Sequence, residues 1–275
     1  MTTPLTRPAY GTPAATATPA RLIPTTGIHN FRDYGGYPAR GFGRVAWGRL
    51  YRSAEHSEAT PRDLEIVAAL GLSAVIDLRG SSERAQAPTR RPPNSSIPVI
   101  CADGETAPAP HAASATAFDV TDARGSMIRQ YSKLPSRANL GDVYRRYFAL
   151  LAETTGSTLV HCTAGKDRTG FLVALLHYAL GVHHDDIFED YMLTNTAGDP
   201  AARVAALRRD LERRFGAPMS NEAVNVVVSV EPQFLQAAFD SVIAQHGSID
   251  VYLADVLGVT AQVREALIER LVVAQ

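Results

Sequence analysis

The sequence predicts an α/β fold in which a central, mostly parallel β-sheet is flanked by helices and followed by a largely helical C-terminal half. Short apolar runs that indicate buried strands alternate with helical patterns in the first part of the chain, and the patterns that follow are helical. Hydrophobic residues make up 45% and charged residues 20% of the chain, so a sizeable core can be buried. Its 275 residues are within the range of a single α/β domain with insertions.

The domain is predicted to span residues 20–275. Residues 1–19 are rich in Pro, Thr and Ala, which indicates a disordered tail, and they lack the basic start and apolar core of a signal peptide. No apolar stretch reaches the length of about 18 residues that indicates a membrane-spanning helix. Residues 102–118 show no periodicity, so the region 102–140 is predicted to be a lid insertion or a disordered segment.

The N-terminal half begins with loops and short strands at "GIHNFRDYGGY", and "RLYRS" then indicates a longer strand. A helix is predicted next, with Thr60 as its N-cap, Pro61 in its first turn and Gly71 as its stop. "SAVIDLRG" predicts a buried strand that ends at Asp77 or Leu78, and "SIPVI" predicts another short strand.

The second half begins with helical patterns at "FDVTDARGSMIRQY" and "LGDVYRRYFALLAE". "STLVHC" predicts a core strand, and the apolar run "TGFLVALLHYALG" predicts a buried helix that Gly181 ends. Further helices are predicted over 183–195, 200–216, 231–247, 249–258 and 260–274. In the first of these, "HHDDIF" resembles a metal cluster but fits a helix start better, since Asp stabilises a helix N-terminus.

The stretch "HCTAGKDRTG" combines a strand end, a glycine-containing loop and a helix start near Thr169. The first N–H groups of a helix lack intrahelical partners and carry partial positive charge, which makes this geometry a phosphate site. A cysteine there is stabilised as its reactive thiolate, and an arginine can grip two phosphate oxygens. Cys162 and Arg168 are therefore the candidate nucleophile and anion clamp.

Cys-x5-Arg followed by Thr is the signature of the protein tyrosine phosphatase superfamily. The whole loop resembles that of the bacterial tyrosine phosphatases of the secreted mycobacterial type, with their lipid- and phosphoinositide-active relatives. Other stretches match the same family, namely "NFRDYGGY", "GRLYRSAEHSEAT", "ALGLSAVIDLRGSSERA" and "HGSIDVYLADVLGVT". The resemblance covers roughly residues 24–272 and implies a tyrosine phosphatase-like fold and a cysteine-dependent phosphatase for phosphate monoesters.

This resemblance implies a phosphocysteine intermediate formed on Cys162, with no metal and no cofactor. Thr169 is expected to hydrogen-bond the sulfur, and His161 to tune the thiolate. Lys166 is expected to add positive charge at the rim of the pocket. The phosphate-binding residues are expected to be Thr163, Ala164, Gly165, Lys166, Asp167, Arg168 and Thr169.

The general acid that protonates the leaving oxygen has two candidates. Asp77, at the end of "AVIDLR", matches the position proposed for the acid in the family, although it could instead cap a helix or pair with Arg79. Asp167, inside the loop, is the competing candidate. An acid from the 102–140 segment, such as Asp119 or Asp122, is the remaining alternative.

Other chemistry-bearing residues are expected to be structural. Arg32 and Asp33 are predicted to form a structural ion pair, and Arg52 is predicted to be structural rather than a pocket residue. Cys101 is also predicted to be structural, with a protective disulfide to Cys162 as the alternative.

The most probable activity on this basis is that of a protein tyrosine or dual-specificity phosphatase. The alternatives are a phosphatase for a small metabolite, such as a nucleotide-like, sugar or inositol phosphate, and a non-catalytic phosphate-binding module. The expected partner is a phosphorylated protein or small phosphate ester. A net charge of −1 favours neither nucleic acid nor stable membrane insertion. A cytoplasmic location is expected, with non-classical secretion left open.

Overall fold

The computed structural model describes residues 20–107 and 120–274, apart from 198, 202–203, 206–207 and 209–219. The tail predicted over 1–19 lies outside the described residues, as do residues 108–119 of the 102–140 segment and most of the helix predicted over 200–216. Asp119 and the side chain of Asp122 also lie outside them.

A five-stranded sheet forms the centre of the fold, in the order β1–β3–β6–β4–β5. All neighbouring strands are parallel except β1, which pairs antiparallel with β3. A separate antiparallel pair joins β2 to β7 near the C-terminus. The strands are β1 Arg32–Asp33, β2 Arg44–Val45, β3 Leu50–Ser53, β4 Leu72–Asp77, β5 Val99–Cys101, β6 Ser157–His161 and β7 Val272–Val273.

Helices connect the parallel strands and make up the C-terminal part of the described chain, as the sequence predicts. After the short α9 the chain continues as a wider helical turn at Tyr252–Val256. The helices are α1 Pro61–Ala69, α2 Ser81–Gln86, α3 Val120–Ser132, α4 Ala138–Glu153, α5 Asp167–Ala179, α6 His184–Met192, α7 Asn221–Val228, α8 Pro232–His246, α9 Ile249–Val251 and α10 Ala261–Leu271. None of the described helices is both long and apolar enough to span a membrane.

The predicted start of α1 is confirmed in atomic detail. The hydroxyl of Thr60 accepts a hydrogen bond from the N–H of Asp63, whose carboxylate accepts one from the N–H of Thr60. This reciprocal pair satisfies two N–H groups that a helix start leaves without partners. Gly71 follows the helix with a φ of +59°, a conformation that favours glycine.

The two faces of the sheet are covered by different helices. Side chains alternate between the faces of a strand, so Ile76 and Val160 join the large core beneath α4 and α5. Val75 and Leu159 belong instead to the smaller core beneath α1. This alternation fixes which side chains at the ends of β4 and β6 share a face.

Two described helices were not predicted. The sequence of α7 ends in "NVVV", and β-branched residues have lower helix propensity because their χ1 freedom is restricted. Packing of α7 against α3 overrides that preference, and it buries Ala223, Val224 and Val226. The other helix, α2, has only six residues, yet it carries a side chain that reaches the site.

Candidate active site

The candidate catalytic loop joins the end of the central strand β6 to the start of α5. His161 is the last residue of β6, Cys162 follows it, and α5 begins at Asp167. Gly165 has a φ of +66°, and a Cβ built on it would lie 2.3 Å from the carbonyl oxygen of Ser53. Only glycine therefore permits this turn to pack against β3.

The loop places the start of α5 directly after a buried sulfur. Cys162 is 2% exposed and lies among the apolar side chains beneath α5. The N–H of Gly170 donates to the carbonyl oxygen of Lys166 at 2.8 Å. The N–H groups before it belong to the first helical turn, which has no intrahelical acceptors and suits phosphate oxygens.

Thr169 has a hydroxyl for which the described residues provide no partner. The residue is fully buried, and its Oγ1 makes no hydrogen bond with any part of the chain that the structure describes. Buried polar groups are normally paired, so an unpaired hydroxyl in the first turn of α5 suits a ligand.

Arg168 is held by a carboxylate that the sequence did not indicate. Its Nη1 and Nη2 donate to the two carboxylate oxygens of Glu83, at 2.5 and 2.7 Å. Nη1 also reaches the Thr106 hydroxyl at 3.0 Å, and Nη2 the Thr163 hydroxyl at 3.3 Å. The Nη1–Nη2 side of the guanidinium therefore faces the protein, which leaves the Nε edge for a ligand.

Glu83 is positioned by α2 and stabilised as an anion. The N–H of Gly80 donates to its Oε2 at 2.9 Å, which fixes the carboxylate at the helix start. Burial opposes ionisation of Glu83, but the hydrogen bonds and charge of Arg168 outweigh it and lower the pKa of Glu83 to about 2. The pair is therefore ionised throughout the neutral range.

A buried network supports the loop from below. Asn30 Nδ2 and Arg52 Nη2 donate to the carbonyl oxygen of Gly165, at 2.8 and 3.0 Å. The carboxylate of Asp190 binds Arg52 at 2.6 Å and Arg32 at 3.1 Å, and both guanidinium groups are fully buried. The charges of these two arginines lower the pKa of Asp190 well below its usual range, against the opposing effect of burial.

The predicted pair of Arg32 with Asp33 is not observed, although both residues are structural. Arg32 pairs with Asp190 in α6, and Asp33 accepts the N–H groups of Gly35 and Gly48, at 2.7 and 2.6 Å. The reason is strand alternation, since neighbouring residues of β1 point to opposite faces.

Asp77 lies on the face of the sheet that α1 covers. It is opposite His161 in the β4–β6 register, and both side chains line a small cavity together with Val75 and Leu159. Its carboxylate binds the guanidinium of Arg79 at 2.8 Å. Burial opposes ionisation, but His161 and Arg79 together lower the pKa of Asp77.

Asp167 occupies a different setting, in the loop itself. Its side chain is 31% exposed, and its Oδ1 lies 3.4 Å from Lys166 Nζ. Burial, and then the nearby charge of Asp167, raise the pKa values of Tyr131 and Tyr191. The carboxylate therefore lies near two buried tyrosine hydroxyls, and its Oδ1 is buried without a hydrogen bond to any described residue.

Lys166 is turned towards α7. Its Nζ donates to the carbonyl oxygens of Val227 and Ser229, at 2.6 and 3.1 Å, and the residue is 6% exposed. These carbonyls belong to the end of the helix, where a cation is favourable. Lys166 thus ties the catalytic loop to α7.

His161, which was expected to tune the thiolate, is fully buried on the α1 side of β6. Its ring stacks on that of His56, with ring centroids 5.3 Å apart. Burial lowers the pKa values of both histidines, that of His56 to about 3. Both rings are therefore neutral near pH 7.

Comparison with known proteins identifies the family of this chain. The profile of a family described as "Tyrosine phosphatase family" matches residues 23–273. The chain belongs to the tyrosine phosphatase family. It is thus a phosphoric monoester hydrolase, and the mixed α/β fold agrees with this family.

Three relatives agree with this assignment. A protein of Cupriavidus necator with the provisional name tyrosine-protein phosphatase is 35% identical over 254 residues, covering 86% of this chain and 85% of its own. The triple specificity protein phosphatase PtpB of Mycobacterium tuberculosis is 30% identical over 262 residues, covering 83% and 91%. A tyrosine-protein phosphatase of Nostoc commune is 32% identical over 145 residues, covering 52% and 47%.

The tyrosine phosphatase loop has no disulfide partner in Cys101. β4 lies between β5 and β6, and Asp77 is opposite both Cys101 and His161. Two strand spacings amount to about 10 Å, beyond the roughly 7 Å limit for the Cα atoms of a disulfide. Both cysteines are free in the structure.

The residues that sequence reasoning missed are the partners of the loop, above all Glu83 and Asn30. A signal existed for Glu83, since "GSSE" has the glutamate at the third position of a short helix, where it can accept the N–H of Gly80. No local signal marks Asn30, whose φ of +57° is uncommon for a residue other than glycine.

The cluster His183, His184, Asp185 and Asp186 is a helix start, as predicted. His183 is the N-cap of α6, and its ring accepts the N–H of Asp185. Among the described residues, no three of His, Cys, Asp and Glu are arranged to hold a metal ion.

Proposed function

We propose that this enzyme is a cysteine-dependent protein tyrosine phosphatase with a range that extends to other phosphate monoesters. The observation that carries the proposal is the loop itself. A buried cysteine precedes a helix start, whose first N–H groups have no intrahelical acceptors, and a carboxylate binds the guanidinium of Arg168. The names of the relatives, one of them a triple specificity phosphatase, are consistent with a broad range.

The proposed reaction has two steps. In the first, the Cys162 thiolate attacks phosphorus and forms an S–P bond, while the ester P–O bond breaks and the leaving oxygen takes a proton from a carboxylic acid. The N–H groups of residues 163–168 and the Arg168 guanidinium hold the three equatorial oxygens. In the second, water attacks phosphorus, its proton returns to the carboxylate, and the S–P bond breaks. Thr169 Oγ1 would donate to the departing sulfur.

We propose Asp167, rather than Asp77, as the group that gives and retrieves the proton. A general acid must reach the leaving oxygen and be protonated in part at the working pH. Asp77 is on the opposite face from Cys162, is bound to Arg79 and has a lowered pKa. Asp167 is next to Arg168 at the start of α5 and is partly exposed, and its salt bridge among the described residues is a long one, 3.4 Å, to Lys166.

The substrate class is tested by measuring kcat/KM for a panel of phosphate esters at a fixed enzyme concentration. Wild type should hydrolyse p-nitrophenyl phosphate, and phosphotyrosine peptides should give kcat/KM values above those of nucleotide, sugar and inositol monophosphates. Activity should survive EDTA and be lost on alkylation of Cys162. Preference for one metabolite phosphate over every peptide would replace the protein substrate by a small molecule. Phosphate binding without turnover would leave only a binding module.

The cytoplasm is the location that we propose, because Cys101 and Cys162 are free thiols and a thiolate enzyme needs a reducing compartment.

A further inference from the structure

A second guanidinium lies beside the site and has no role in holding the loop. Arg137 is the N-cap residue of α4, and it is half-buried. Its backbone is fixed on both sides, because its N–H donates to Leu134 and its carbonyl accepts the N–H of Gly141. The position of its side chain is therefore set by the start of a 16-residue helix.

Arg137 and Arg168 contact the same residue. Arg137 Nη1 donates to the Thr106 carbonyl oxygen at 3.1 Å, and Arg168 Nη1 donates to the Thr106 hydroxyl at 3.0 Å. Because both contacts end on one residue, the two guanidinium groups lie within about 10 Å of each other. This is the separation between two anionic groups on one small molecule or on neighbouring side chains.

The two arginines differ in what neutralises them. Arg168 has the carboxylate of Glu83, whereas Arg137 forms no ion pair with any residue in the described parts of the chain. Within the described residues its side chain makes one hydrogen bond, to a carbonyl oxygen, which engages one of its five N–H groups. Burial, and then the positive charge of Arg168, lower the pKa of Arg137, although the carboxylates of Asp167 and Glu83, which lie beyond salt-bridge distance, oppose this.

We propose that Arg137 binds a second anionic group, a phosphate or carboxylate, on the substrate whose phosphate ester occupies the Cys162 loop. A half-buried guanidinium that has no carboxylate at salt-bridge distance among the described residues is stabilised by a ligand that supplies negative charge. Its planar fork suits phosphate and carboxylate oxygens. The inference rests on the proposed function and adds to it a preference for substrates with two anionic groups.

The test compares esters that differ only in charge. The probes are 3-carboxyphenyl phosphate and 3-(carboxymethyl)phenyl phosphate, each paired with its neutral amide. For wild type we expect kcat/KM for at least one acid to exceed that of its amide by about tenfold, the size of one hydrogen bond to a charged group. Hydrolysis of the neutral amides measures phosphatase activity alone, so it tests the proposed function separately from the role of Arg137.

The variants assign this preference to one residue. Arg137→Met should lower kcat/KM for the acid to the value of the amide, chiefly through KM, and leave the amide unchanged. Arg62→Met, which removes an exposed arginine from α1 on the other face of the sheet, should keep the preference. Arg137→Gln is the second variant if Arg137→Met does not fold.

Equal rates for acid and amide at both lengths in wild type would overturn the proposal, as would a preference that survives in the Arg137 variants. Two further pairs of substrates then distinguish a peptide carboxylate from a second phosphate as the anionic group that Arg137 binds. One pair is a phosphotyrosine peptide with aspartate or asparagine next to the phosphotyrosine, and the other is an inositol bisphosphate against a monophosphate.

Discussion

Replacing Glu83 by Gln tests how Arg168 is oriented. The change keeps the size of the side chain and removes the charge that binds Nη1 and Nη2. The lowering of the Glu83 pKa from 4.5 to about 2 corresponds to roughly 3 kcal/mol in favour of the ionised form. The Glu83 side chain is 27% exposed, so solvent screening reduces the orienting part to about 1 to 2 kcal/mol.

The expected result is a fall in kcat/KM of about tenfold for p-nitrophenyl phosphate, since roughly 1.4 kcal/mol is a factor of ten. Steady-state kinetics at pH 6 to 7 measure it, and Glu65→Gln, which removes an exposed carboxylate from α1, is the matched control. An unchanged kcat/KM would refute the positioning role. A raised kcat/KM would show that Glu83 competes with the substrate phosphate for Arg168.

The same pair predicts how stability depends on pH. A carboxylate whose pKa is lowered by folding adds stability above its unfolded value and loses it as the pH falls through the folded value. The difference in unfolding free energy between wild type and Glu83→Gln should therefore be constant above about pH 4.5 and shrink towards pH 2. Urea unfolding at several pH values measures this difference in free energy. A constant difference from pH 4.5 down to pH 2 would contradict the lowered pKa of Glu83.

Substitutions at four further positions test the rest of the site. Asp167→Asn should slow phenyl phosphate about 10² times more than p-nitrophenyl phosphate, and Asp77→Asn should slow both equally while lowering the melting temperature; the reverse pattern would restore Asp77 as the acid. Arg168→Lys should be nearly as damaging as Arg168→Ala in steady-state assays, because lysine lacks the two-pronged geometry, and high activity in the lysine variant would reduce Arg168 to a point charge. Gly165→Ala should abolish most turnover, because its Cβ would lie 2.3 Å from the Ser53 carbonyl oxygen, and an active variant would show that the loop can move.

The catalytic loop could be predicted because its chemistry is local in sequence. Cys162, Gly165 and Arg168 lie within seven positions, between an apolar strand and an apolar helix. The start of α1 was predictable for the same reason, since the capping residues Thr60 and Asp63 are three apart. In each case the pattern contains both partners of the interaction.

Which residues pair with the loop could not be predicted, because strand order brings them together; the local signal at Glu83 indicates a helix start and not its pairing with Arg168. Glu83 is 85 positions from Arg168, and Asn30 is 135 positions from Gly165. To predict which face of the sheet carries Asp77, one must know the register of β4 against β6, in which Asp77 is opposite His161. Alternation within "VID" indicates only that Asp77 and Ile76 face opposite sides.

The proposed mechanism requires that the phosphoryl group is bound covalently to the sulfur of Cys162 during turnover. Trapping this phosphocysteine is the decisive test. Wild type is mixed with p-nitrophenyl phosphate, quenched in acid during the first turnovers and digested, and the peptides are analysed by mass spectrometry. We expect one phosphoryl group on Cys162, formed together with a burst of p-nitrophenol, and neither signal in Cys162→Ser. A phosphoryl group on another side chain, or turnover retained by Cys162→Ser, would contradict it.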